Sequence, residues 1–126
     1  MSNQAIVTDK APAALGPYSA GVVSGNVIHV SGQLGVVPET GEFAGESAVD
    51  QARQSLTNVK NILAAAGADM SNVAETTVLL TDLADFAAVN EVYAGFFAEP
   101  FPARACFQVA ALPKAAKVEI KAVAYL

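Results

Sequence analysis

Residues 101–115 read FPARACFQVAALPKA, and their pattern predicts a β-strand with two unlike faces. Because side chains alternate along a strand, Arg104, Cys106 and Gln108 point one way, and the apolar residues between them point the other. A guanidinium cannot lose its charge to escape burial. A half-buried Arg104 therefore needs an anion, either a carboxylate of the protein or a carboxylate or phosphate of a ligand.

The composition indicates one domain, residues 1–126, that associates with copies of itself. A chain of 126 residues is long enough to bury a core without disulfides. Hydrophobic residues make up 53% of it and charged residues only 15%, whereas average domains carry about a quarter charged residues. This chain has too little charge for an ordinary surface, so we expect apolar surface to meet another subunit.

Charge and residue counts argue against several classes of function. The net charge is −5 and the lysines are dispersed, which disfavours nucleic-acid binding. One cysteine and one histidine allow neither an intrachain disulfide nor a zinc site. No apolar run has membrane-spanning length, and no signal-peptide pattern opens the chain. We expect a cytoplasmic protein with no membrane partner, metal or organic cofactor.

The rest of the chain predicts five further strands and two helices. Apolar residues at spacings of three and four predict one helix over 47–66 and a second from Asp85 to before Pro100. Alternating or β-branched stretches predict strands at 5–8, 20–23, 27–33, 73–81 and 118–125.

The predicted order is β-β-β-α-β-α-β-β, an α+β fold with about six strands in one sheet. Two helices can cover only one face of such a sheet, so the other face needs a partner. Strict alternation places seven residues on that uncovered face: His29, Ser31, Gln33, Arg104, Cys106, Gln108 and Glu119.

Two charged residues are candidates for chemistry. Arg104 could clamp a small carboxylate in a bidentate fork. Alternatively, it forms a structural ion pair with Glu119 or with an acidic residue of a neighbouring subunit. Glu119 could serve as a general base, or it could be a solvated strand residue flanked by Lys117 and Lys121.

Four further residues each have a structural alternative. Cys106 could be a nucleophile only with His29 as its base, and a buried structural cysteine is the alternative. Tyr18, fixed by the preceding Gly-Pro turn, offers a hydroxyl or packs beside the turn. Ser31 and Gly32 could present a hydroxyl and an approachable backbone to a ligand, or they could form a glycine bulge.

Five spaced motifs resemble the RidA (YjgF) family of reactive-intermediate deaminases over essentially the whole chain. They lie at residues 16–19, 30–33, 81–93, 102–105 and 109–120. The resemblance implies a chorismate-mutase-like α+β fold and a homotrimer with clefts between its subunits.

The resemblance also implies an activity, the hydrolysis of 2-imino acids and their enamine tautomers (2-aminoacrylate, 2-aminocrotonate) to 2-keto acids and ammonia. It implies that Arg104 binds the substrate carboxylate, that Glu119 positions the attacking water, and that Tyr18, Ser31, Gly32 and Cys106 line the pocket. One alternative is a non-catalytic or regulatory binder of small carboxylates that uses the same cleft. Another, an RNA-cleaving protein, is disfavoured by the acidic charge.

Overall fold

A computed structural model describes residues 2–126 as one mixed sheet with two helices. The six strands are β1 (Gln4–Ile6), β2 (Gly21–Ser24), β3 (Val27–Leu34), β4 (Val73–Leu80), β5 (Ala103–Gln108) and β6 (Val118–Tyr125). The helices are α1 (Ala48–Ala65), between β3 and β4, and α2 (Phe86–Ala94), between β4 and β5. The predicted β-β-β-α-β-α-β-β order is confirmed.

The sheet has the strand order β1-β2-β3-β6-β4-β5. All neighbours pair antiparallel except β4 and β5, which run parallel because α2 carries the chain back between them. As a result β6 lies at the centre of the sheet and β5 at one edge.

The helix ends follow from short polar side chains. The hydroxyl of Ser47 accepts a hydrogen bond of 3.0 Å from the amide of Asp50, which caps α1. Asp85 occupies the N-cap position of α2, but its side chain makes no capping hydrogen bond. A single 3₁₀ turn precedes that helix and is capped by Asp82, whose carboxylate accepts from the amide of Ala84 at 2.9 Å.

Both helices pack on the same face of the sheet, as predicted. Ile28, Val30 and Ala124 pack with Ile62 and Leu63 of α1 in one cluster of the core. The second cluster joins both helices to the sheet and comprises Ala48, Ala52, Leu56, Val78, Leu80, Val89, Tyr93, Val118 and Ile120. The opposite face of the sheet, called here the open face, is not covered by any element of residues 2–126.

A β-bulge interrupts the pairing of β3 with β6. Val30 pairs with Ala122, but the next pair is Gln33 with Ile120, so three steps along β3 match two along β6. The extra residue turns Gln33 to the helix side, where it is only 6% exposed. The prediction that Gln33 shares the uncovered face with Ser31 is therefore wrong, because it assumed unbroken alternation.

Candidate functional site

A cleft of about 900 Å³ lies on the open face, above β3 and β6. Four of the six residues proposed from the sequence line it: Tyr18, Ser31, Gly32 and Glu119. They come from the loop before β2, from the bulge and from the central strand. The cleft therefore gathers residues up to 101 positions apart in the chain into one concave surface.

Tyr18 stands at the rim of the cleft on a constrained turn. Gly16 has φ of +149°, a conformation that L-residues rarely adopt, and its carbonyl accepts a hydrogen bond of 2.9 Å from the Tyr18 amide. The Tyr18 side chain folds back over Gly16, and the residue stays 54% exposed. The turn thus presents the phenol to solvent at the cleft instead of burying it.

The bulge fixes the hydroxyl of Ser31. The Ser31 amide donates to the carbonyl of Ala20 at 2.9 Å, and its hydroxyl donates to the carbonyl of Ser19 at 2.6 Å. Because the hydroxyl proton is already used, the oxygen can only accept a further hydrogen bond. The glycine bulge and the ligand-facing role, which were posed as alternatives, are therefore compatible.

Glu119 lies directly against the bulge. A Cβ added to Gly32 would come within 2.5 Å of the Glu119 Oε2, so only glycine leaves room for this carboxylate. Partial burial raises the pKa of Glu119, and the nearby ammonium of Lys121 offsets part of that rise. A half-buried carboxylate with a raised pKa in a cleft is a candidate general base.

Buried polar side chains of α1 support the bulge from behind. The hydroxyl of Ser55 donates to the Gln33 carbonyl at 2.7 Å. The Asn58 amide donates to the carbonyls of Leu34 and Val36 at 3.2 and 2.9 Å. Both side chains are fully buried, although the buried face of the helix is otherwise mostly apolar. These bonds tie α1 to the backbone at the end of β3 and just beyond it.

Sequence reasoning missed this support although the sequence carries a signal for it. Gln51, Ser55 and Asn58 follow one another at spacings of four and three, which places them on one side of a helix. Polar residues at such spacing within an apolar stripe indicate hydrogen bonds to a neighbouring backbone.

Arg104 lies outside the cleft, at the other end of the sheet. Its Nη1 donates to the Asn90 Oδ1 of α2 at 2.8 Å, and its guanidinium carbon lies 4.8 Å from the ring centre of Tyr93 and 5.5 Å from that of Phe86. The side chain is exposed on edge strand β5. Sequence reasoning missed these three neighbours, which recur on α2 at spacings of four and three.

The predicted face of Arg104, Cys106 and Gln108 is wrong. Arg104 pairs in register with Thr76, whose hydroxyl is hydrogen bonded to Tyr93 at 2.7 Å beneath α2. Paired residues of neighbouring strands point to the same side of the sheet, so Arg104, Cys106 and Gln108 point to the side covered by the helices. The open-face residues of β5 are instead apolar, and Phe107 among them is 51% exposed.

This arrangement excludes an Arg104–Glu119 ion pair within the chain. The two side chains point to opposite faces, and the one salt bridge within residues 2–126 joins Arg53 to Asp50 at 3.5 Å. The other structural alternative, an acidic partner in a neighbouring subunit, stays open. So does a ligand carboxylate.

Cys106 is half-buried beside the second core cluster. Desolvation raises the pKa of its thiol, and the nearby Arg104 only partly opposes this. Within one chain His29 cannot serve as its base, because β6 and β4 separate β3 from β5 and the two side chains point to opposite faces. A neutral thiol without a base favours a lining role over that of a nucleophile.

Residues 2–126 contain no group of three or more His, Cys, Asp and Glu side chains arranged to hold a metal ion. Neither helix combines the length and the hydropathy needed to cross a membrane.

Comparison with known proteins identifies extensive similarity. The family model described as endoribonuclease L-PSP matches residues 8–126. The chain is 52% identical to Reactive Intermediate Deaminase A, chloroplastic, of Arabidopsis thaliana over 126 residues, which are 100% of this chain and 67% of that protein. It is 54% identical to the 2-iminobutanoate/2-iminopropanoate deaminase of Capra hircus over 119 residues, 94% of this chain and 87% of that protein.

Solved structures agree with these sequence matches. The crystal structure of E. coli TdcF with bound serine superposes with a TM-score of 0.93 at 48% identity, covering 98% of each chain. That relative holds a small amino acid.

Proposed function

This chain belongs to the endoribonuclease L-PSP family, and we infer that it is a deaminase that hydrolyses 2-imino acids and their enamine tautomers to 2-keto acids and ammonia. The observation that carries this conclusion is identity of 50% or more to several 2-iminobutanoate/2-iminopropanoate deaminases over 94% of the chain. The resemblance to reactive-intermediate deaminases found in the sequence is thereby confirmed.

The reaction needs a water molecule and a held carboxylate. Water adds to the C=N carbon, giving a carbinolamine, and the C–N bond then breaks as the nitrogen leaves as ammonia. Imines hydrolyse readily in water, so positioning and modest acid-base assistance suffice.

In the proposed mechanism Arg104 binds the substrate carboxylate. Asn90 occupies its Nη1, while Nη2 and Nε have no hydrogen-bond acceptor among residues 2–126. The bond from Nη1 to Asn90 and the rings of Phe86 and Tyr93 hold the guanidinium in place. The N–H groups of Nε and Nη2 can then bind both oxygens of a carboxylate. Cys106 lies two residues farther along the same strand and contributes to the lining.

Glu119 activates the water in its ionised form, beside the Ser31–Gly32 bulge. The Ser31 oxygen, whose proton is donated to Ser19, accepts from the N–H of the imine or of the departing amine. Tyr18 closes the rim with its hydroxyl. These roles match the site residues that the sequence predicted, and no metal or organic cofactor enters the scheme.

A complete site requires a second copy of the chain. Arg104 lies on the helix side of edge strand β5, whereas the cleft lies on the open side of β3 and β6, so one chain cannot bring both to the same substrate. An open face with exposed apolar groups such as Phe107 supports burial against another subunit. We therefore propose the homotrimer with inter-subunit clefts, each holding Glu119 of one subunit and Arg104 of the next.

The activity is tested with 2-iminobutanoate generated by a threonine dehydratase. We expect the protein to accelerate the appearance of 2-ketobutyrate above the spontaneous rate. An unchanged rate would overturn the deaminase assignment. Ligand binding without acceleration would select the non-catalytic carboxylate binder instead.

The shared site is tested by mixing two variants that are both strongly impaired when the substrate concentration is far below KM. Arg104→Ala and Glu119→Gln chains are unfolded together, refolded and assayed. If each site uses one side chain from each of two subunits, random mixing restores about a quarter of the sites in a closed ring. If both side chains act within one chain, every site keeps a defect and no activity returns.

The domain boundaries and the cellular location are also proposals. We propose residues 1–126 as a single domain with a cytoplasmic location and a small-molecule partner. RNA cleavage, named in the description of the family, gains no support from a net charge of −5.

A further inference from the structure

The cleft carries charge of the opposite sign to the rest of the molecule. Its lining includes Lys114, Lys121 and His29, with Glu119 as its only acidic residue. The whole chain has twelve acidic and seven basic residues. Two of the seven basic residues of this acidic protein, Lys114 and Lys121, therefore lie in the cleft that contains Glu119, the proposed base. Such a cavity attracts anions more than the net charge suggests.

Lys114 reaches the cleft from a strained backbone. Its φ and ψ are 59° and 21°, and Ala115 beside it also has a positive φ, of 57°. Left-handed backbone is unfavourable for residues with a Cβ, and such strain persists mainly where it positions a functional group. Neither residue is glycine, although glycine would remove the strain. The turn after Pro113 therefore holds a lysine side chain at the cleft at some cost to stability.

Lys121 projects from β6 on the same face as Glu119, two residues farther along the strand. The bulge residues Ser31 and Gly32 lie opposite it. No salt bridge within 4 Å joins it to Glu119. Its ammonium is close enough to influence the carboxylate but is free to meet a ligand.

We propose that Lys114 and Lys121 form a second anion subsite, so that the substrates of this deaminase include 2-imino acids with an additional carboxylate, of which 2-iminosuccinate is the smallest ordinary example. The proposal rests on the deaminase function argued above. Arg104, a planar fork, suits the carboxylate next to the imine carbon. The lysines carry compact charges on flexible side chains, so they suit a distal carboxylate whose position varies with the length of the substrate's carbon chain.

The reaction at the imine is unchanged. Water adds its oxygen to C2 of 2-iminosuccinate, the C–N bond breaks, and the nitrogen takes up protons and leaves as ammonia. The product is the four-carbon 2-keto diacid. The lysines take no part in bond breaking.

The experiment compares a diacid with a monoacid under one assay. An aspartate oxidase generates 2-iminosuccinate from aspartate, and an alanine-oxidising enzyme generates 2-iminopropanoate. Hydrolysis competes with trapping by semicarbazide, so enzyme activity appears as lost semicarbazone absorbance. We expect kcat/KM for the diacid to equal or exceed that for the monoacid, and the ratio to fall as salt rises.

The variants isolate the lysines. In Lys114→Met/Lys121→Met the ratio of diacid to monoacid kcat/KM should fall by about tenfold, the usual scale for a lost charge-assisted contact. Lys60→Met, which removes an exposed lysine of α1 outside the cleft, is the matched control and should leave the ratio at the wild-type value.

The outcomes separate the two proposals. If the wild-type protein hydrolyses 2-iminopropanoate but not 2-iminosuccinate, the subsite is wrong and the deaminase function stands. An unchanged ratio in the double variant also overturns the subsite. If neither imine is hydrolysed, both proposals fall. The wild-type comparison does not depend on any variant folding.

Discussion

The cleft and the Arg104 edge are built in different ways. The cleft lies over the middle of the sheet, where β3 and β6 pair and buried side chains of α1 hold the bulge from behind. Arg104 stands on an edge strand that has only one neighbour, and it is held by Asn90 and two aromatic rings at the surface. The part proposed for water activation is thus rigid and recessed. The part proposed for substrate capture is exposed.

If the site is shared as proposed, the cleft and the Arg104 edge have different tasks. General-base catalysis depends on placement within a fraction of an ångström, which a packed sheet provides. Binding of an anion by a charged side chain tolerates larger variation in the position of that side chain. Changes in the cleft should therefore affect turnover, while changes at the edge should affect substrate affinity.

The largest effect is expected from Glu119→Gln. The amide fills the same space but cannot accept the proton of water, so kcat should fall by about 10²–10⁴-fold with little change in KM. Steady-state kinetics with 2-iminobutanoate measure both constants. A variant with kcat near the wild-type value would show that Glu119 is not the base.

Gly32→Ala comes next. The new Cβ would lie 2.5 Å from the Glu119 Oε2, so the carboxylate must move, and a displacement of about 1 Å can cost about 10²-fold in kcat. Gly95→Ala is the matched control, because the nearest atom to its added Cβ is a carbonyl oxygen at 3.4 Å. Equal losses in the two variants would point to general destabilisation, which thermal unfolding would reveal.

Arg104→Ala should lower kcat/KM by about 10–100-fold, mainly through KM, because one charge-assisted bidentate contact is lost. The chain offers its only other arginine as a control. Arg53 lies on α1 in an exposed ion pair with Asp50, and Arg53→Ala should leave kinetics unchanged. If kcat alone fell in Arg104→Ala, the comparison between capture and turnover would be wrong.

A smaller effect is expected in the pH profile. Burial raises the pKa of Glu119, so kcat/KM should fall on the acid side with a midpoint above that of an ordinary glutamate. Lys121→Met removes the charge that partly offsets burial, and the midpoint should move to higher pH.

The raised pKa of Glu119 also makes the stability of the folded protein depend on pH. A raised carboxyl pKa favours the folded state at acidic pH, and that contribution is lost as pH rises through the folded-state pKa.

The smallest effect is expected from Cys106→Ser. The thiol has a raised pKa and no base, so the kinetic constants should stay within about threefold of wild type, the range of substitutions outside the chemistry. A loss comparable to that of Glu119→Gln would restore the nucleophile interpretation.

Much of the fold was predictable because periodicity and turn residues agree locally. Ser47 and the apolar spacing of α1 located the first helix to within a residue at each end. The bulge in β3 was enough to defeat alternation at Gln33, because an extra residue in one strand exchanges the faces of the residues after it.

The face of β5 was not predictable for a different reason. Arg104 and Gln108 are polar and Phe107 is apolar, so composition favours the arginine facing away from the core. The structure reverses this, because an edge strand lets Arg104 lie along the surface of α2, in contact with Asn90 and near the rings of Phe86 and Tyr93. Phe107 is left exposed on the open face, and a single-chain pattern gives no reason to place an apolar ring there.

The side chains of α1 that hold the bulge also bear on how the site forms. Ser55 and Gln33 are 22 residues apart, as are Asn58 and Val36. No local segment can shape the bulge by itself, and its geometry arises only once helix and sheet have docked. Loosening of that docking on warming would therefore abolish turnover before the strands separate, making catalysis an early reporter of lost tertiary structure in this protein.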